Sequence, residues 1–238
     1  MIKARPARWA KFIFHLYIMN LLKRSFHAFH LAGTVPEVIP DAPILVLPNH
    51  STWWDGFFVY YLNSQLFQRP MYLMMLASQL KKYHFFSRVG AYGIDSNHIS
   101  SLRESLTYTI ELMQQKSPKP PLICIFPQGE LLPWGKRPLN FKPGIEWIIK
   151  KYGKSINLVP LAMRIEFCGE QKPEVFFRFG GNYFVNAENF SGMPWLKKVN
   201  ENLLAELEQQ LTSGDMAKLL LARKLSVNQI WDKLRGRN

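Results

Sequence analysis

The chain alternates short, continuous apolar runs with longer stretches of helical periodicity, and this alternation limits the possible folds more than any single residue. Residues 43–48 (PILVLP), 71–77 (MYLMMLA), 90–95 (GAYGID), 122–126 (LICIF), 156–165 (INLVPLAMRI) and 174–181 (EVFFRFGG) read as strands. A run that is apolar at nearly every position suits a strand buried on both faces, as in a parallel sheet. Between the runs, 51–66, 78–89, 96–116 and 142–153 read as helices. In 96–116 the apolar side is set by Ile99, Leu102, Leu106, Ile110 and Met113. In 142–153, Pro143 stands near the first turn and Gly153 marks the stop. From Trp195 onward the pattern is helical and amphipathic, with Ser226 and Gln229 spaced as a capping box. Strands separated by helices of this length predict an α/β fold, a largely parallel or mixed central sheet flanked by helices. The one low-complexity break is the proline cluster at 118–121.

The first 35 residues are a separate problem. They carry Lys3, Arg5, Arg8, Lys11, Lys23 and Arg24, and the first acidic residue is Glu37. Lys11, His15, Asn20 and Lys23 interrupt the apolar part, which falls short of the ~20 apolar residues a spanning helix needs. We expect one or two amphipathic helices in the headgroup region of a membrane, Lys and Arg on anionic lipid and Trp9, Phe12, Phe14 and Tyr17 towards acyl chains. The competing reading is a helix packed on the domain. No A-x-A site follows, so a cleaved signal peptide is not expected. The expected organisation is thus residues 1–35 as a membrane-associating segment and 36–238 as one domain, peripheral on the cytoplasmic face of a membrane.

A formal net charge of +13 calls for an anionic partner. The basic residues lie beside an apolar stripe, which suits a lipid surface better than nucleic acid, where exposed aromatics would line a basic face. Cys124 and Cys168 are the two cysteines and read as buried free thiols. No Cys/His cluster has metal-ligand spacing, so neither a metal nor another cofactor is expected.

In open α/β sheets, ligands bind beyond the carboxyl ends of the strands. His50 follows the run 43–48, Asp95 ends the run 90–95, and Gln128 and Glu130 follow 122–126. If those strands are parallel, the three polar stretches share one edge. His50 and Asp55 are five apart in the stretch NHSTWWD. With His50 in a turn and Asp55 in the first helical turns, their side chains can meet. A carboxylate that holds the tautomer of an imidazole makes it an effective general base, an effect worth ~10²–10⁴ in rate. Ser51 is too close in sequence to serve as its nucleophile and no G-x-S-x-G elbow occurs, which disfavours a serine hydrolase.

Asn49 to Asp55 resembles the first block, NHxxxxD, of the glycerolipid acyltransferases typified by 1-acylglycerol-3-phosphate acyltransferase. Further stretches are similar to later blocks in the family's order: GAYGID (Gly90 to Asp95), FPQGE (Phe126 to Glu130), FKPG (Phe141 to Gly144) and VPLAM (Val159 to Met163). The His-x₄-Asp element alone is weakly specific, and the ordered set is strong. The resemblance covers about residues 43–165. It implies that His50 takes a proton from an acceptor hydroxyl while Asp55 orients it, and that the hydroxyl attacks the thioester of acyl-CoA or an acyl-carrier protein. It also implies substrate-binding roles for Asn49, Asp95, Gln128, Gly129, Glu130, Arg137 and Lys142. Trp53, Trp54, Phe57 and Phe58 border an acyl channel on this view, or simply pack the core.

Two blocks depart from the family. Its third block reads Phe-Pro-Glu-Gly-Thr-Arg, with the arginine on the acceptor phosphate, whereas here Gln128, Gly129, Glu130 and Leu131 stand. Its second block ends Ile-Asp-Arg, where Ser96 stands here. A phosphate would be left to Lys136, Arg137 or Lys142, with Glu130 repelling it. The expected acceptor is therefore a neutral or sugar-bearing lipid hydroxyl, or another lysolipid. The alternatives are a conventional lysophosphatidic acid acyltransferase, in which Arg137 and Lys142 substitute, a thioester hydrolase using the same base, and a non-enzymatic membrane-binding scaffold. Gln128 and Glu130 have a structural reading too, as side chains that fix their own loop.

Overall fold

Strand β2 (Ile44–Pro48) is buried at every position and stands in the middle of the sheet. Ile44 and Val46 enter the core on one face, and Leu45 and Leu47 enter a second core on the other. A side-chain period of two therefore delivers apolar residues to both layers at once. The structure, a computed structural model, describes residues 1–95, 98–214, 218–222, 231 and 233–235.

The other strands are β1 (Ala28–Leu31), β3 (Met71–Leu76), β4 (Ala91–Ile94), β5 (Leu122–Cys124), β6 (Ile156–Glu166), β7 (Glu174–Phe179), β8 (Tyr183–Val185) and β9 (Lys218–Ala222). Their order across the sheet is β4-β3-β5-β2-β6-β7-β1-β9, with β8 beside the start of β6. The run from β4 to β6 is parallel throughout. Beyond it, β7 is antiparallel to β6, β1 parallel to β7, and β9 antiparallel to β1. The sheet is therefore mixed with a parallel heart, as the pattern of apolar runs predicts.

Six α-helices are its main cover among the described residues: α1 (Arg8–Ser25), α2 (Asp55–Leu62), α3 (Ala77–Lys82), α4 (Ile99–Met113), α5 (Gly144–Tyr152) and α6 (Gly192–Ser213), with a π turn at Asn63–Phe67 and a 3-10 helix at His84–Val89. Phe14, Ile18 and Leu22 of α1 and Phe58, Tyr61 and Leu62 of α2 fill the layer on Ile44 and Val46. Leu106, Ile110 and Leu112 of α4 and Ile145, Ile148 and Ile149 of α5 fill the layer on Leu45 and Leu47. Leu203, Leu204 and Leu207 of α6 close on Ala162 and Phe176.

Several expectations need correction. Residues 51–54 form a turn and the helix begins at Asp55, because the side chain of Asp55 is used to close that turn. Of the one or two helices expected in residues 1–35 there is one, α1, and residues 28–31, for which no strand was expected, are strand β1, paired between β7 and β9. The chain after α6 is not wholly helical, since β9 caps the sheet edge beside β1. Ser226 and Gln229 lie outside the described residues. Ile99 is 86% exposed at the start of α4, so the apolar side of that helix starts at Leu102. Cys124 is buried as expected, but Cys168 is exposed.

Helix α1 carries two apolar stripes. Ala10, Phe14, Ile18 and Leu22, four apart, pack on the domain, whereas Trp9, Phe12, Ile13, Leu16 and Tyr17 are exposed. Phe14 therefore belongs to the core and not to the outward face. The packed-helix reading and the exposed-face reading each describe one side of the same helix. No helix among the described residues is long and apolar enough to cross a membrane.

Gly90, which opens the second motif, shows why that position tolerates no side chain. Its φ is +114°, and a Cβ there would lie 2.3 Å from the carbonyl oxygen of Met71 on the neighbouring strand. Gly90→Ala is expected to cost at least about 2 kcal/mol in chemical denaturation, from a strained backbone and a forced strand separation. A variant as stable as the parent would contradict this register of β3 and β4.

Candidate active site

The site starts where β2 ends. Asn49 is buried, and its side-chain amide continues the β2–β6 ladder after the backbone has turned away. Its Oδ1 accepts from Met163 N at 2.7 Å and its Nδ2 donates to Met163 O at 3.1 Å, while its own N–H donates to Leu161 O. An asparagine presents the donor and acceptor of a peptide unit, so it stands in for a further strand residue. Nδ2 also donates to Ser51 Oγ at 2.9 Å, which fixes the direction in which the chain leaves the sheet.

Asp55 then gathers the turn. Its Oδ2 accepts from Ser51 N at 2.7 Å, Thr52 N at 2.9 Å and the His50 ring at Nδ1, 2.8 Å, and its Oδ1 accepts from Thr52 Oγ1 at 2.7 Å. Thr52 Oγ1 in turn accepts from Trp54 N at 3.2 Å. This is one half of a capping box, the acidic residue reaching back to the N–H three residues earlier, at the helix end where a negative charge is favoured. Asp55 is 2% exposed. An ionised carboxylate only accepts, so Nδ1 of His50 carries the proton and Nε2 the lone pair.

The loop after β5 holds His50 from the other side. Gln128, 4% exposed, accepts at Oε1 from His50 N at 2.8 Å, and Leu132 N donates to His50 O at 2.9 Å. Phe126 stacks on the imidazole with centroids 3.9 Å apart and planes 17° from parallel. Backbone N–H, backbone C=O, Nδ1 and the ring face of His50 are thus each assigned a partner. Gln128 bonds the backbone of His50 and not that of its own loop, so the loop-fixing contact foreseen for it takes a different form.

The remaining sequence candidates are spread more widely. Gly129 turns the loop with φ +73°, its N–H donating to Phe126 O, and a Cβ there would meet the stem of Lys142 at 3.2 Å. Lys142 itself is anchored by its N–H on Pro127 O, with an exposed side chain. Glu130 and Leu131 are exposed on the turn. Arg137 folds back onto its loop, donating from Nη1 to Trp134 O at 2.9 Å and Lys136 O at 3.0 Å. Asp95 follows β4 on the same edge, but three strand spacings, about 14 Å, separate β4 from β2. The structure therefore assembles Asn49, His50, Asp55 and Gln128, borders them with Gly129 and Lys142, and leaves Asp95 at a distance.

Some neighbours were not foreseen. Thr52 has a legible signal, since T-x-x-D before an apolar helix is a capping pattern. Trp134 donates from Nε1 to Met163 O at 2.9 Å, the carbonyl that Asn49 also uses, and Arg164 lies over its ring at 4.1 Å. Arg164 pairs with Glu166, and with Glu208 of α6 at 3.4 Å. These residues and Ser51, Thr52 and Asp55 line a cavity of about 340 Å³. Their meeting depends on long-range pairing that sequence spacing does not encode. Beneath the site, burial and then the charge of Asp55 push the Cys124 thiol well above its ordinary range, which leaves it an inert core residue.

Residues 30–164, from β1 to β6, match the model of one family, described as Acyltransferase. No curated protein matches the chain.

Asp55→Ala would leave two N–H groups, a hydroxyl and the His50 ring without their acceptor, and is expected to destabilise the protein by about 3 kcal/mol or more; Gln128→Ala, which strips one acceptor, should cost about 1–2 kcal/mol. Urea unfolding reads both. An Asp55→Ala protein as stable as the parent would show that the turn is held in some other way.

Proposed function

The chain belongs to the Acyltransferase family, and on that premise we propose that it moves a fatty acyl group from an acyl-CoA or acyl-carrier-protein thioester to a lipid hydroxyl, with His50 as general base. The observation that carries this reading is the 2.8 Å contact between His50 Nδ1 and Asp55 Oδ2, which leaves Nε2 as the acceptor nitrogen. Nε2 takes the proton of the acceptor hydroxyl as its oxygen attacks the thioester carbonyl. The new C–O bond forms, the C–S bond breaks, and the imidazolium returns its proton to the departing sulfur. A thiolate is a good leaving group, its thiol having an ordinary pKa near ~8.5. Asp55 stabilises the imidazolium between the two transfers.

The acceptor is a lipid hydroxyl without a simple phosphate. Leu131 stands where the family's phosphate-binding arginine is expected, and Arg137, the arginine of that loop, turns its Nη1 onto two backbone carbonyls of the loop itself. Both observations weigh against a conventional lysophosphatidic acid acyltransferase. Nothing in the chemistry calls for a metal or other cofactor.

The reaction takes place at a membrane, to which the chain attaches peripherally on the cytoplasmic face through residues 1–35. The outer stripe of α1 supports this. Trp9 lies 6.4 Å from Phe85 between ring centroids, and Phe14, Phe57 and Trp53 continue the aromatic contacts to the turn that carries His50. Exposed rings beside Arg8, Lys81 and Lys82 fit an anionic lipid interface. On this arrangement the lipid substrates reach His50 without leaving the surface.

In mixed vesicles with labelled acyl thioester and a panel of acceptor lipids, His50→Ala is expected to lower transfer by about 10²–10⁴ while retaining the fold. Replacing Trp9, Phe12 and Leu16 together by Ser should release the protein from anionic vesicles in co-sedimentation. Unchanged transfer by His50→Ala would remove the general-base assignment, and unchanged sedimentation would remove the outer stripe of α1 from the membrane contact.

A further inference from the structure

The cavity beside the candidate base has an electrostatic character opposite to that of the chain. The protein carries a formal net charge of +13, yet around this cavity Arg164 is the single cation among the lining residues, against the carboxylates of Asp55, Glu166 and Glu208. The charge of Arg164 is already paired. Its Nε donates to Glu166 Oε1, its Nη1 lies 3.4 Å from Glu208 Oε1, and its Cζ lies over the Trp134 ring, 4.1 Å from the centroid. A guanidinium held by two carboxylates presents no positive field to a third anion, and a phosphate monoester placed here would face uncompensated negative charge.

The same groups are well suited to hydroxyls. Carboxylate oxygens accept from O–H, and the guanidinium N–H groups not spent on Glu166 and Glu208 donate to hydroxyl oxygen. Donors and acceptors therefore both border a space of about 340 Å³, which is at the small end of ligand sites, commonly ~300–1,000 Å³. The cavity shares Ser51, Thr52 and Asp55 with the turn that positions His50, while His50 itself does not line it. An acceptor head seated there must extend past Asp55 for its reacting hydroxyl to meet Nε2, which favours a head with several hydroxyls over one with a single group.

We infer that this cavity holds the head of the acceptor lipid, and that Glu166 and Glu208, by occupying Arg164, select an uncharged polyhydroxyl head such as a sugar over a phosphate monoester. The inference rests on the acyl-transfer reading of the site. It gives Glu166 and Glu208 a specificity role that neither has in the chemistry itself.

The test is equilibrium binding without donor, so that no turnover is needed. The full chain in neutral mixed micelles is titrated with methyl glucoside, glycerol and glycerol 3-phosphate. Methyl glucoside should bind at least about tenfold more tightly than glycerol 3-phosphate. Glycerol distinguishes a general preference for neutral polyols from a preference for the sugar ring. Glu166→Gln with Glu208→Gln frees the guanidinium and should reverse the order of glucoside and phosphate. Adding Arg164→Gln to that pair should abolish the gained phosphate binding, which a general loss of fold would not do selectively. Tighter phosphate binding by the parent chain, or a preference unmoved by the double substitution, overturns the inference. Transfer activity is read separately. A chain that binds glucoside but transfers nothing keeps the cavity and loses the reaction, whereas an active chain that prefers the phosphate keeps the reaction and loses this selectivity.

Discussion

One carboxylate oxygen organises the functional edge of this protein. Asp55 Oδ2 accepts from two backbone N–H groups and an imidazole, all from the three residues His50, Ser51 and Thr52. Those contacts close the turn after β2, start α2 at the right place and set the orientation of His50 in a single arrangement. A five-residue spacing would put two side chains on different faces of a straight helix. The pair meets because the turn is not helical, and the turn is not helical because Asp55 reaches back into it. Structure and candidate chemistry are therefore the same set of bonds, and a substitution at Asp55 affects both.

The remaining ties to His50 come from far along the chain. Asn49 fastens the turn to β6 through Met163, and Gln128 fastens the backbone of His50 to the loop after β5. Those loops are in reach because β5 and β6 flank β2 in parallel, so their carboxyl ends open on the same edge. The order of strands thus determines which motif can touch which. β4 lies two strands beyond β5, and the motif ending in Asp95 shares the edge without sharing the contacts. Charge is divided in a similar way: a basic, aromatic exterior around α1, and a cavity at β6 whose one guanidinium is neutralised by its own carboxylates.

How much of this the sequence reveals depends on the range of the interaction. The parallel heart was legible because β2, β5 and, apart from Asn157, the first part of β6 are apolar on both faces, a pattern that admits few other placements. The His50–Asp55 pair and the T-x-x-D signal beside it are local and can be read from spacing. Strand β1 was not, since AFHL lies between a basic helix and a loop and is strand only by pairing with β7 and β9. Two apolar stripes on α1 blur its periodicity, so the inward role of Phe14 became visible only in contact with α2. Arg164 and Glu208 meet across 44 residues, and no spacing rule announces such a pair.

The central claim is that Asp55 fixes the proton of His50 on Nδ1 and leaves Nε2 ready to accept another. The ¹⁵N resonances of the His50 ring in selectively labelled protein read this directly. The account predicts a protonated Nδ1 and a bare Nε2 in the neutral ring, with the preference weakened in Asp55→Asn. A neutral ring protonated at Nε2 in the parent protein would contradict it, and with it the assignment of His50 as the base.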